Sequence, residues 1–381
     1  MSRIALPRIL EIGGGSIDRL PNVLASLGLS KPLLVTDPFM VTQPGCDRVL
    51  ENLPSGTPVY SDTVTDPTSD IIEIGTTILQ EGNFDSIVAF GGGSSMDTAK
   101  AMSIVAANGG HIRDYKAPNP IPKAGLPVIA VPTTAGTGSE ATMVTVVTDT
   151  ASDEKMMIKG LPALPLAAIV DFEFTYTVPF RTTADTGIDS LCHAIEAYTS
   201  KLASPFTDSF ALSAMKRISA HLKTACYEPL DPIARSQMML AATEAGIAFS
   251  NASVTLTHGM SRPIGAHFHV PHGLSNAMLL PAVTKFSIDN AQERFADCAR
   301  AMDLTQTNCN DEACDILVRT LIDQNTELKV PTPKAYGIDE EKYHAAIPLM
   351  AQQAIASGSP GNNPRVPSAS EIEELYKEIW D

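Results

Sequence analysis

Short apolar runs alternate with stretches of helical spacing through the first half of the chain. Residues 32–36 (PLLVT) form a compact apolar run that ends at Asp37. Residues 69–80 place Ile71, Ile72, Ile74 and Leu79 at helical positions behind Ser69, whose hydroxyl suits a helix N-cap. Residues 86–90 (SIVAF) read as a strand running into Gly91-Gly92-Gly93, and the spacing then predicts a helix over 96–107. Another apolar run, 126–131, leads into the polar stretch 132–140. Continuous apolar runs of this length, each followed by a helical segment, predict a parallel sheet with helices on both faces. Residues 143–159 depart from this, because two strand-like segments flank a polar, aspartate-bearing turn and predict a β-hairpin. Residues 166–170 return to the sheet, and 171–183, which include Pro179, end the alternation. From Ala184 the pattern is helical, with helices predicted over 189–200, 206–222, 232–249, 291–302 and 372–380 and a loop over 357–367. The expected organisation is an α/β domain over 1–180 followed by an all-helical domain over 181–381.

Composition narrows the function classes. The chain has 381 residues, 44% hydrophobic and 18% charged, which is an ordinary globular balance with enough length for a sizeable core. Its formal net charge of −16 repels phosphate backbones and argues against nucleic acid as a partner, while leaving room for a small anion at a locally positive site. No stretch is apolar for long enough to span a bilayer, and residues 1–12 lack a signal peptide's apolar core, so no membrane partner and a cytoplasmic setting are expected. Cys46, Cys192, Cys226, Cys298, Cys309 and Cys314 are scattered without a CxxC pair and are expected to be mostly reduced packing residues. Cys192 adjoins His193 and is expected to project from a different face of its helix.

Two small-residue loops carry the first chemical signal. Gly91-Gly92-Gly93-Ser94-Ser95 lies between a strand and a helix, where backbone N–H groups and the helix dipole can meet a pyrophosphate. Asp97, in the first turn beyond, can cap the helix or orient the loop. This is not GxGxxG with an acid about 20 residues later. The acid comes earlier: Asp37 ends a preceding strand, where it is either a solvated turn residue or an acceptor for ribose hydroxyls that repels a 2′-phosphate and favours NAD. PTTAGTGSE, 132–140, is the second loop at a strand's carboxyl end. Gly13-Gly14-Gly15-Ser16 is a third glycine run, read as a flexible turn.

The second signal suits a metal. Asp189 and His193 are four apart in a helical segment and share one face. His258 and His272 flank HGMSRPIGAHFHVPHG, and each precedes a glycine where the backbone can turn sharply. One carboxylate and three imidazoles, if they converge, suit Fe2+ or Zn2+.

At these residues the sequence resembles the iron-containing (group III) alcohol dehydrogenase family. The resemblance spans nearly the whole chain and is carried by GGGSSMDTAK from Gly91, PTTAGTGSE from Pro132, TGIDSLCHAIEAY from Thr186, AGIAFSNAS from Ala245 and HGMSRPIGAHFHVPHGLSNAMLLP from His258. It implies a dehydroquinate synthase-like architecture, with an N-terminal dinucleotide-binding α/β domain, a C-terminal all-α domain and the metal and substrate in the cleft between them. It implies Asp189, His193, His258 and His272 as ligands of Fe2+, or alternatively Zn2+. It implies Asp37, Gly93, Ser94, Thr133, Thr134, Thr137, Val146 and Lys155 as NAD contacts, and the reading of the glycine loop adds Gly92 and Asp97 to that candidate site. A homodimer or larger homo-oligomer is expected on the same ground. Two departures stand out. Arg262 occupies the position, four after the first HG histidine, where relatives often carry a histidine near the nicotinamide. His267 and His269 are possible substitutes, so the catalytic candidates are His267 and Arg262. Asp66-Pro67-Thr68 stands where relatives often have Asn-Pro-Thr. The expected function is hydride transfer between NAD(H) and a small primary alcohol or aldehyde, with or without an anionic group that Arg262 would grip. The alternative is a metal- and NAD-dependent lyase resembling dehydroquinate synthase.

Overall fold

The computed structural model describes residues 3–152 and 154–381; Met1, Ser2 and Asp153, the last in the expected hairpin turn, lie outside the described residues. The chain divides into two compact units, Arg3–Val178 and Pro179–Asp381.

In the first unit the continuous apolar runs are buried on both faces, as a parallel sheet requires. The strands are β1 (Ile9–Ile12), β2 (Pro32–Val35), β3 (Val59–Tyr60), β4 (Ser86–Gly91), β5 (Val128–Pro132), β6 (Val144–Asp149), β7 (Glu154–Lys159) and β8 (Ala167–Val170). Among the described residues six of them form one parallel sheet in the order β1-β8-β5-β4-β2-β3, and β6 and β7 form the antiparallel hairpin. Its helices are α1 (Leu20–Leu27), α2 (Pro44–Glu51), α3 (Ser69–Glu81) and α4 (Gly93–Asn108). Leu34, Val88, Phe90, Ile129, Val131 and Ile169 make one core of the sheet with Leu20, Leu24, Val49 and Phe174. Helix α4 begins at Gly93, three residues before the expected start, so part of the glycine run belongs to the helix N-terminus.

The second unit is helical: α5 (Phe180–Thr199), α6 (Pro205–Tyr227), α7 (Pro232–Ala252), α8 (Leu256–Phe268), α9 (His272–Ser287), α10 (Gln292–Ala301), α11 (Asn310–Glu327), α12 (Pro333–Tyr336), α13 (Glu340–Ala356) and α14 (Ala369–Glu378). Helix α5 starts nine residues earlier than the spacing suggested, just after Pro179, a residue well suited to a helix start but not to its interior. The expected sharp turn at His258-Gly259 is absent. Both residues lie inside α8, which continues through Pro263 and ends at His269, whose backbone is left-handed (φ 55). The glycines serve close packing instead. A Cβ on Gly259 would lie 2.7 Å from the Pro360 ring, and one on Gly273 would lie 2.5 Å from the Asp185 carbonyl oxygen. The Gly273 approach brings the start of α9 against α5, and the Gly259 approach seats α8 on the turn at Pro360.

Candidate active site

Helix α5 supplies Asp189, His193 and Glu196 at i, i+4 and i+7, which is one stripe of its surface. Helix α8 supplies His258, and α9 supplies His272 and Asn276. One ligand atom from each of Asp189, His193, His258 and His272 lies within 4.8 Å of all the others. Asp189 Oδ1 is 3.5 Å from His258 Nε2 and 3.9 Å from Nε2 of both His193 and His272. The His193 ring stacks on Phe249 at 4.1 Å and on His258 at 4.5 Å between centroids, which fixes its plane. Asp189, His193 and His258 are buried and His272 is half-exposed, so the cluster opens on the His272 side.

The electrostatics of this cluster favour a cation. Burial pushes the His193 imidazole down to about 3, so it is neutral near pH 7. Burial would raise the Asp189 carboxyl, yet His193, His272 and His258 together hold it well below the usual range. His193 Nδ1 and Asn276 Oδ1 are buried with no hydrogen-bond partner among the described residues. The Asn276 Nδ2 group sits among the ligand atoms, 2.6 Å from Asp189 Oδ1, 3.1 Å from His258 Nε2 and 3.3 Å from His272 Nε2. The Nε2 atoms of His193, His258 and His272 and Oδ1 of Asp189 face one another, and lone pairs gathered this way are costly unless positive charge meets them. Three imidazole nitrogens and one carboxylate are a donor set that Fe2+ or Zn2+ accepts.

Glu196 escaped the sequence reading. Its Oε2 lies 2.6 Å from His258 Nδ1, while its carboxylate also accepts from Thr255 N at 3.0 Å, Thr255 Oγ1 at 2.9 Å and Thr257 N at 2.6 Å. Burial opposes its charge, but these partners hold its carboxyl down at about 2. A fixed carboxylate on Nδ1 keeps the proton there and leaves Nε2 as the free donor atom, the usual support for a metal-binding histidine. The available signal was that Glu196 continues the Asp189–His193 stripe. Cys192 packs as expected: it is buried and free, its Sγ lies 3.8 Å from His258 Nδ1, on the side away from Nε2, and burial pushes the thiol up to about 12, so it is a neutral group.

The two catalytic candidates part company. Arg262 follows His258 by four residues and shares its face of α8. His267 follows by nine, roughly two and a half turns, and so faces the opposite way. Its Nε2 lies 2.8 Å from Gln353 Oε1 on α13, outside the cluster. The expectation that His267 replaces the missing histidine is therefore corrected by the phase of the helix. His269 is exposed at the helix end.

The cofactor candidates lie in the first unit. β4 and β5 are neighbours in register, Gly91 beside Pro132, and Thr133 N donates to the Gly91 carbonyl at 2.9 Å. The two loops thus emerge side by side at the sheet's carboxyl edge. Gly91 has φ 147, which glycine adopts readily. Thr137 fits against Gly93 so closely that a Cβ there would lie 2.8 Å from its Cγ2, and Thr134 lies next to Gly92. Ser94 is in the first turn of α4. Asp37, at the end of β2, accepts from Phe39 N and Met40 N through Oδ1, while Oδ2 faces Ser95 Oγ at 3.5 Å. Lys155 pairs with Asp66 at 2.9 Å.

Asp97 is a correction. Its carboxylate accepts from Ser139 Oγ at 2.8 Å and Val146 N at 2.9 Å, which occupies it within the protein. The same bond takes up the Val146 amide, leaving other atoms of Val146 for any ligand. Lys100, fully buried and three residues on, donates to the carbonyls of Ser139 at 2.6 Å and Val144 at 2.9 Å. Burial pulls its ammonium down to about 8, against the opposing pull of Asp97. Asp97 and Lys100 together tie α4 to the 132–140 loop and the hairpin. Sequence reading missed Lys100, although a lysine three residues after Asp97 in an apolar helix was visible.

Comparison with known proteins agrees with this architecture. Residues 7–172 match the model of iron-containing alcohol dehydrogenase, and 183–380 match the C-terminal model of the Fe-containing alcohol dehydrogenase family. The chain belongs to the iron-containing alcohol dehydrogenase family, and it is an alcohol dehydrogenase or aldehyde reductase by class. It is 35% identical over 382 residues to the NAD-dependent methanol dehydrogenase of Bacillus methanolicus, covering 99% of each chain. It is also 35% identical to the NADPH-dependent butanol dehydrogenase of Clostridium saccharobutylicum, covering 100% of this chain and 98% of that one. A crystal structure of 1,3-propanediol oxidoreductase superposes with a TM-score of 0.95 at 30% identity, covering all of both chains. These relatives favour the oxidoreductase over the lyase alternative. Among the described residues no helix is long and apolar enough to cross a membrane.

Proposed function

We propose that the chain interconverts a small primary alcohol and its aldehyde with NAD(H), using one divalent cation, Fe2+ or alternatively Zn2+, held by Asp189, His193, His258 and His272. The observation that carries this is the meeting of those four side chains within 4.8 Å. When bound, the cation supplies Lewis acidity toward the alcohol or aldehyde oxygen. Glu196 keeps the His258 proton on Nδ1, and Phe249 and the burial of α5 keep the His193 and His258 nitrogens dry. The half-exposed His272 side is where a substrate reaches the cluster. Gly92, Gly93, Ser94, Thr133, Thr134 and Thr137 bind and orient the dinucleotide, and Asp97 and Lys100 hold their loops in place. Asp37 favours NAD, since a carboxylate at that strand end accepts ribose hydroxyls and repels a 2′-phosphate. A homodimer or larger assembly belongs to the same proposal, on family resemblance, and so does a cytoplasmic setting, on the sequence pattern.

The test is His258→Ala, assayed with a panel of alcohols and aldehydes and with both NAD(H) and NADP(H). Loss of tight metal binding together with turnover is expected, and wild type should form NADH stoichiometrically with oxidised alcohol. Full activity of the variant without bound metal would refute the ligand set, and turnover with no net NADH would restore the lyase reading.

A further inference from the structure

Arg262 is a cation in an uncommon position. It lies one helical turn beyond His258 on the same face of α8. Among the described residues it has no salt-bridge partner, and its hydrogen bond is a single one, from Nη1 to the neutral Ser359 Oγ at 3.1 Å. Ser359 is itself buried, in the 3-10 turn Ser359–Asn362 that packs against α8 at Gly259. Burial works against the guanidinium's charge, and the carboxylate that offsets it, Glu196, is already occupied by His258, Thr255 and Thr257. Guanidinium has five N–H donors in a planar fork matched to carboxylate, sulfonate or phosphonate oxygens, and here most of them have no protein acceptor. Arg262 is partly buried, so its free donors stay reachable, and a charge with so few protein acceptors gains when an anion arrives.

We propose that Arg262 is a specificity residue that grips an anionic head group on the substrate, which makes the preferred aldehyde a short ω-anionic one. This rests on the reading that the Asp189–His272 cluster is where the reacting carbonyl sits. One helical turn separates His258 from Arg262, roughly 6 Å along the axis. That span fits two or three carbon atoms between the carbonyl carbon and the anion. Ser359 orients the fork from behind and leaves its remaining edge for the ligand.

The experiment compares the metal-loaded wild type, Arg262→Ala, Arg262→Lys and Ser359→Ala. Each is given succinic semialdehyde and its neutral counterpart pentanal, with NADH, and the ratio of the two kcat/KM values is read. Calorimetric binding of 4-hydroxybutyrate, with no turnover, is the second readout. The wild type should prefer the acid, and in Arg262→Ala that preference should fall by about 30-fold or more, as for removal of one partner of a desolvated charge pair. Arg262→Lys should keep part of it, because an ammonium retains the charge but not the fork, and Ser359→Ala should sit between. Binding of 4-hydroxybutyrate should weaken in the same order. Equal use of both aldehydes by the wild type, or an unchanged ratio in Arg262→Ala, overturns the assignment while the dehydrogenase reading stands. A rise in KM for NADH alone overturns it too, because Arg262 would then serve a cofactor phosphate. No reduction of either aldehyde by the metal-loaded wild type refutes the underlying reading as well.

Discussion

The α/β unit and the helical unit assemble their candidate sites in opposite ways. Around β4 and β5 the contacts offered to a ligand come from backbone and small side chains, and the charged groups, Asp97 and Lys100, are turned inward to hold the loops. In the helical unit the charged and ligating side chains are themselves the candidate site, projected from three helices, with Gly273 letting α9 approach α5. The lesson is that the two sites should fail in different variables. Damage to the first should alter how the dinucleotide is held, and damage to the second should alter metal occupancy.

The largest effect that separates them is expected at Glu196. Glu196→Gln removes the carboxylate from His258 Nδ1 and should weaken metal affinity about 10- to 100-fold, while KM for NADH hardly moves. Chelator competition measures the first quantity, and coupled changes in both would erase the distinction. In the other direction, Gly93→Ala puts a methyl 2.8 Å from Thr137 Cγ2. It should raise KM for NADH by roughly tenfold, since displacing a packed loop costs about 1–3 kcal/mol, with metal content intact by elemental analysis. The smallest effect sharpens the comparison within the α/β unit. Gly14, in the other glycine run, abuts the Phe172 ring, where a Cβ would come within 2.9 Å. Gly14→Ala should lower stability in urea by about 1–2 kcal/mol and leave cofactor affinity unchanged.

That last pair also shows what was legible in the sequence. Both glycine runs follow strands, but β4 lies inside the sheet and opens a 16-residue helix, whereas β1 is at the sheet's edge and leads into a short 3-10 turn. Flanking pattern alone told the strand that opens a long helix from the one that leads into a short turn. The strands and the Asp189–His193 spacing were readable because period and length are local properties. The helical run through Gly259 and Pro263 was not, because tertiary packing against Pro360 overrides two weak helix formers. Glu196, Lys100 and Asn276 each left a local spacing signal, but what they do depends on Thr255 and Thr257, on Ser139 and Val144, and on Asp189, partners distant in sequence that spacing does not connect. His267 was misjudged because proximity in sequence was weighed without helical phase.

The central claim is that one cation, held by four side chains, is what makes this chain an oxidoreductase. Stripping the protein with a chelator, then restoring Fe2+ or Zn2+ in steps, tests it most directly, with elemental analysis and alcohol-dependent NADH formation read in parallel. Activity should rise in proportion to occupancy and saturate at one ion per chain, and Asp189→Ala should not respond. Undiminished NADH formation by fully stripped protein would contradict the account.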